Sequence, residues 1–313
     1  MTRFSILWLG SLAVPLILAC DRTPRPPAVD STVAVDPAPG DTTQLEARSG
    51  WETGLGPLLI VAGAQREASA VFPHFSDSTL TDTTTFDASI LADMRVDLFS
   101  RAGLAGHARL RSAPVRARDD GCVAWPEATV TITDSVVARS PWTVAFAAGR
   151  VIPLALDSLE NQSGADSARL TAEVSRLASL VPDDTAAAFR GIPYFVRQVR
   201  RFRIAPDTHV LIANVTRRIN QEANPREEQV LLVAERAGSR PEARHTLTYH
   251  ERVSGPEEAI ESTDVLAAVS FIPGGAPTIV LIRDYGDGSA YALITRASGG
   301  EWKLAWNSAY AGC

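Results

Sequence analysis

The chain has 313 residues with 36 acidic against 30 basic side chains, a net charge of -6, and 45% hydrophobic residues. That balance excludes a basic nucleic-acid-binding surface as the organising feature, and the length allows one large core or two smaller ones. Lys303 is the only lysine, so Schiff-base, Ser-Lys and phosphate-loop mechanisms all depend on one side chain in Glu301-Trp302-Lys303-Leu304-Ala305-Trp306, which reads as a strand.

At the N-terminus a single basic residue, Arg3, precedes an apolar run from Phe4 to Ala19. The run is short for a membrane span and fits a signal peptide over residues 1–19. Its end, Ile17-Leu18-Ala19-Cys20, resembles the lipobox of bacterial lipoproteins: aliphatic at minus three, small at minus one, then the cysteine that is acylated. The resemblance implies lipidation at Cys20 and an extracytoplasmic place in a bacterial cell envelope, anchored to the inner or the outer membrane through its acyl chains. Asp21 resembles the inner-membrane retention signal of enteric lipoproteins. It implies no activity.

Residues 20–50 hold Pro24, Pro26, Pro27, Pro37 and Pro39 among Asp, Thr and Ser. A segment so poor in large apolar residues cannot bury enough surface to offset its ordering entropy, and it predicts a disordered, proline-rich tether. With Cys20 set aside for lipid, Cys122 and Cys313 remain as an even pair in a compartment where disulfides persist. Such a bridge would pin the last residue to the first half of the chain.

From residue 51 the dominant apolar period is two. In a β-rich region, 51–156, strands are predicted over Gly56–Ala62, Met94–Ser100, Leu104–Arg111, Cys122–Thr133, Trp142–Ala147 and Arg150–Leu156, separated by Gly, Pro and Asp turns. A helical connection, 157–192, follows. Leu170, Val174, Leu177 and Val181 fall at helical spacing with Asp166 as a candidate N-cap and Pro182 as a stop, and a shorter helix is predicted over Asp184–Arg190. An antiparallel β region, 193–313, then reads as two groups of four strands: Tyr194–Ile204, His209–Thr216, Gln229–Arg236 and His245–Arg252, then Val265–Ile272, Thr278–Tyr285, Ala290–Arg296 and Trp302–Trp306. The fold class expected is mainly antiparallel β with a short helical insert, in two β-rich parts of sandwich or propeller-like form.

The last group, with Asp284-Tyr285-Gly286-Asp287-Gly288 at a hairpin before a tryptophan strand, loosely resembles the blades of integrin-type propellers. It departs from them at the alternating aspartates that load calcium, and the two groups lack self-similarity.

Motifs for chemistry are sparse. The chain contains no Gly-x-Ser-x-Gly, His-Glu-x-x-His, Ser-x-x-Lys or glycine-rich phosphate loop. His250-Glu251 begins like a zincin helix, but Ser254 stands where the second histidine belongs and the preceding residues alternate like a strand. The five histidines, His74, His107, His209, His245 and His250, are scattered. Asp77, Asp82 and Asp87 recur among Ser and Thr without a calcium-loop spacing, so the plain reading is a solvated loop. No metal and no cofactor is expected.

The remaining polar feature is Arg197, Arg200, Arg201 and Arg203, with Arg217 and Arg218 on the next strand. Alternation puts Arg197, Arg201 and Arg203 on one face and Val196, Phe202 and Ile204 on the other. A salt-bridged sheet face is the default for such a pattern. The sharper reading makes the three arginines an anion-binding set for a lipid head group, an acidic polysaccharide or a protein partner, because guanidinium forks suit carboxylate and phosphate. The function expected is a membrane-anchored, non-catalytic binding or envelope-assembly module. The alternatives are a hydrolase with a spatially assembled carboxylate or Ser/His site, and a calcium-stabilised repeat adhesin.

Overall fold

The computed structural model describes residues 59–63, 66–73, 75, 88–112, 122–132, 141–158, 162–182, 187–219, 224–238, 243–271 and 275–313. The chain is mainly antiparallel β with one α-helix, arranged as a barrel, two stacked sheets and the helix.

The barrel closes from β1 (Leu59–Ala62), β2 (Glu67–Val71), β3 (Arg95–Ser100), β4 (Gly103–Ser112), β5 (Glu127–Thr131) and β6 (Val144–Ala147) in the order β1-β2-β5-β4-β3-β6. Closure leaves no edge strand, and inward residues must fill a narrow interior. Ile60, Val96, Leu98, Leu110 and Val130 do so with at most 1% exposure. The strand β2 is absent from the sequence reading because its inward residues, Ala68 and Ala70, carry almost no β propensity.

Gly149, at φ 72°, turns the chain out of the barrel, a conformation that suits a residue without Cβ. It leads into a strap over 151–158: β7 (Val151–Pro153) joins one sheet beside β13 (Ser262–Phe271), and β8 (Asp157–Ser158) joins the other beside β9 (Phe195–Ala205). The six-stranded sheet runs β7-β13-β14-β15-β16, with β17 (Ala311–Gly312) also on β15; its strands are β13 (Ser262–Phe271), β14 (Pro277–Asp284), β15 (Gly288–Arg296) and β16 (Trp302–Asn307). The five-stranded sheet runs β8-β9-β10-β11-β12, from β9 (Phe195–Ala205), β10 (Thr208–Ile219), β11 (Arg226–Ala237) and β12 (Thr246–Pro256). The two groups of four predicted strands therefore stack as packed sheets instead of forming propeller blades.

Each of these sheets is covered on both sides. Leu266, Val280, Leu293 and Trp306 pack with the barrel residues, while Val265, Ile279, Leu281 and Ile294 meet Val210, Ile212, Leu231 and Val233 of the five-stranded sheet. The outer face of that sheet, with Leu211, Ala213, Val215, Val230 and Leu232, packs under α1 (Gly164–Ala178). Double coverage explains runs such as Val230-Leu231-Leu232-Val233-Ala234, buried throughout.

Helix α1 buries Leu170, Val174, Leu177 and Ala178, one stripe contributing on the order of 2 kcal/mol per large side chain. Its N-cap is Ser163, which accepts from Asp166 N at 3.3 Å, while Ser163 Oγ donates to Asp166 Oδ2 at 2.8 Å. Asp166 is thus the third helical residue of a capping-box arrangement, three positions beyond the cap itself. Over the second predicted helix only a 3-10 turn, Ala187–Phe189, is described.

Cys122 and Cys313 are bonded, across a sequence separation of 191, beside a bridge between Val123 and Gly312. The C-terminus is thereby held against the segment that leads into β5. Among the described residues no helix is long and apolar enough to cross a membrane. Cys20, the tether, His74, Asp77, Asp82 and Asp87 lie outside the described residues.

Candidate anion-binding cleft

Alternation along β9, β10 and β11 sends every second side chain to the face that α1 covers. The helix reaches only part of that face. Beyond it, the register pairs Arg203 with His209 and His209 with Arg236, which sets three basic residues in one row across three strands. Next to the row, Arg201 pairs with Asp157 on β8. Arg169, Glu173 and Arg176 of α1, Leu154 and Ala155 of the strap, Pro206 of the β9–β10 turn and the segment Ala243–His245 complete a cleft of about 1050 Å³.

Six arginines and two histidines line it against two carboxylates, Asp157 and Glu173. Both carboxylates are engaged. Asp157 accepts from Arg201 and from Gln162, each at 2.6 Å. Glu173 accepts from Arg176 at 2.8 and 2.9 Å and from the His245 backbone at 2.8 Å, and Arg176 also donates to the His245 carbonyl at 2.6 Å. Arg169 pairs with Asp166 at 3.0 Å. Arg203, Arg236 and Arg244 have no ion-pair partner among the described residues, and Arg236 Nε is buried without a hydrogen-bond acceptor.

The ionisation of the wall residues registers this surplus of positive charge. Burial lowers the Arg236 pKa, and Arg169 and Arg201 lower it further. His209 is pushed down by burial first, then by Arg236, Arg203 and Arg201. His245 falls to about 4, again by burial and then by Arg236, against the opposing pull of Glu173. The Arg176 hydrogen bonds hold Glu173 at about 2. A concave, partly desolvated site with cations in excess concentrates anions, because its low-dielectric walls strengthen the field.

Of the three arginines grouped by alternation, Arg201 and Arg203 reach this cleft and Arg197 does not. The register of β9 on β10 skips Arg197, passing from Gln198 opposite Asn214 to Val196 opposite Val215. A bulge at that step breaks the alternation, and Arg197 pairs instead with Glu227 at 3.4 Å. Arg218 also pairs with Glu227, and with Glu257 at 3.1 Å, while Arg217 pairs with Glu228 at 2.8 Å beneath Tyr194. The residues that sequence reasoning missed, His209, Arg236, Arg169 and Arg244, come together only through register and helix packing.

The other candidates do not assemble chemistry. His250 and Glu251 lie on β12, where Glu251 accepts from Arg283 and Tyr249. Asp284 caps Gly286 N at 2.9 Å and Asp287 accepts from Tyr310 at 2.7 Å, so both serve the β14–β15 hairpin and its surroundings. Among the described residues no group of three or more His, Cys, Asp or Glu could hold a metal. Asp97 and His107 face each other across β3 and β4 at 2.7 Å, with Asp97 also accepting from Gly149 N. Among the described residues no hydroxyl or thiol hydrogen-bonds to that imidazole.

No protein-family model matches the chain, and no curated protein or solved structure shows significant similarity to it.

Proposed function

We propose that the chain is a lipid-anchored, extracytoplasmic binding module whose folded body captures an anionic component of the cell envelope. One observation carries this reading: a cleft of about 1050 Å³ holding three arginines that lack counter-ions among the described residues. A protein leaves such cations together only at a cost in mutual repulsion, with a desolvation cost at Arg236, and a bound anion offsets it. The lipobox-like sequence at Cys20 supports the anchor, and the proline-rich segment after it would hold the body away from the bilayer.

Titration of the chain with a fully ionised organic trisulfonate tests the binding reading. Saturable binding is expected, with loss of affinity in an Arg203→Gln, Arg236→Gln double variant. Equal binding by that variant, or none by the natural chain, would contradict it. For the anchor, the intact mass of protein isolated from bacterial membranes should correspond to cleavage before Cys20 with acyl chains added. An uncleaved or unacylated N-terminus would refute that part.

A further inference from the structure

The chemistry of the cleft narrows the anion, on the basis of the binding reading above. Two carboxylates already sit inside it, and each pairs with one guanidinium: Asp157 with Arg201 and Glu173 with Arg176. That is the ordinary stoichiometry of a planar, singly charged group meeting an arginine fork. The row Arg203–His209–Arg236 is different. It places three nitrogen-bearing side chains on adjacent strands, about 4.8 Å apart from strand to strand, and Arg244 lines the same cleft.

Such a row suits a group with two charges and three acceptor oxygens arranged around a tetrahedral centre. A phosphate monoester has that form: close to two negative charges at neutral pH and three strong acceptors. The imidazole of His209 lies between two guanidiniums, and burial first, then Arg236, Arg203 and Arg201, lower its pKa. A dianion seated on the row reverses that field, so the imidazole can donate to it as a cation. The cleft is also far larger than a phosphate ion, and Pro153, Leu154, Leu170 and Pro206 add apolar lining to it, as expected where an organic body accompanies a charged head.

We propose that the cleft binds the phosphate monoester head of an organic ligand, with the dianion on Arg203, His209 and Arg236 and the organic part against the strap and the β9–β10 turn. The same chemistry is offered by a soluble phosphate ester and by the head group of phosphatidic acid.

The test is calorimetric titration of the full chain in neutral detergent with glycerol phosphate and with citrate, and flotation with phosphatidylcholine vesicles with or without phosphatidic acid. Binding of glycerol phosphate is expected. Arg203→Gln or Arg236→Gln should each weaken it roughly tenfold or more, the scale of one lost charge-assisted hydrogen bond. Neither side chain has an ion-pair partner among the described residues, so neither variant should lower the melting temperature. Flotation only with phosphatidic acid, abolished by the same variants, supports the lipid as the source, whereas binding of the soluble ester alone supports a free ligand. Citrate binding with neither phosphate form would overturn the phosphate assignment while leaving an anion site in place. Binding of none of these would overturn both.

Discussion

Acidification should destabilise the body by a route that runs through His245. This residue is 7% exposed, and the chain around it is tied to α1 through Glu173 and Arg176. Burial, then Arg236, hold its pKa near 4, against an ordinary value of 6.5. Between those two values the unfolded chain binds a proton that the native chain does not, so stability must rise with pH through the window. The stabilisation is fully present above about pH 6.5 and lost as the pH falls toward 4, amounting to about 3 kcal/mol from the size of the shift. Glu173, held at about 2 against 4.5, acts in the same direction but lower, its stabilisation being lost only below 4.5. Urea unfolding followed by tryptophan fluorescence at pH 7.0, 5.5 and about 4.5 separates them. The natural chain should lose most of the His245 increment by the lowest pH, and His245→Gln should remove that part of the slope while His209 retains its own. An unchanged slope in the variant would refute the reasoning.

Two further perturbations probe the fold away from the cleft. Arg217→Met leaves Glu228, 0% exposed, without its closest cation, which should cost about 3–5 kcal/mol and lower the melting temperature by roughly 10 °C. Adding Glu228→Leu should recover more than half of that loss, and a double variant no better than the single would show that the buried charge is not the cause. Opening the Cys122–Cys313 bridge by Cys122→Ser removes a loop constraint spanning 191 positions, with a chain-entropy ceiling of about 5 kcal/mol. Differential scanning calorimetry with and without reductant reads this, and free thiols at both positions in non-reducing peptide maps of the natural protein would contradict the pairing.

Most strands are legible in the sequence because one or both faces are apolar and turn residues bound them. Helix α1 is legible through Leu170, Val174 and Leu177, although its cap is not, since Ser163 and Asp166 share the capping work. Short strands with weak propensity are invisible: β2 shows alanines to the barrel interior, and β8 is two residues, Asp157 and Ser158. The cleft is half legible. Arg201 and Arg203 share a face by simple alternation, but Arg197 leaves it through a bulge, which alternation cannot foresee. His209 and Arg236 lie 27 positions apart in the chain, and only the register of β10 on β11 makes them neighbours.

The strand β11 itself supplies the sharpest internal comparison for the cleft. Three of its carboxylates are half or fully buried, and each has an arginine: Glu227 pairs with Arg218, Glu228 with Arg217, and Glu235 with Arg296 at 2.6 and 2.9 Å while also accepting from Trp302. The fold thus has the means to neutralise partly buried charge at neighbouring positions of one strand. Arg236, the next residue after Glu235, points to the opposite face and receives no carboxylate, although Glu173 lies on the same cleft wall, committed to Arg176. Unpaired charge in a concave site is unfavourable, and here Arg203 and Arg236 place it on the face that α1 leaves partly uncovered. Packing does not require a cation at that position, since the same face carries Val230, Leu232 and Ala234 further along. What the unpaired arginines do provide is a field that an incoming dianion can neutralise, at a place wide enough to admit it.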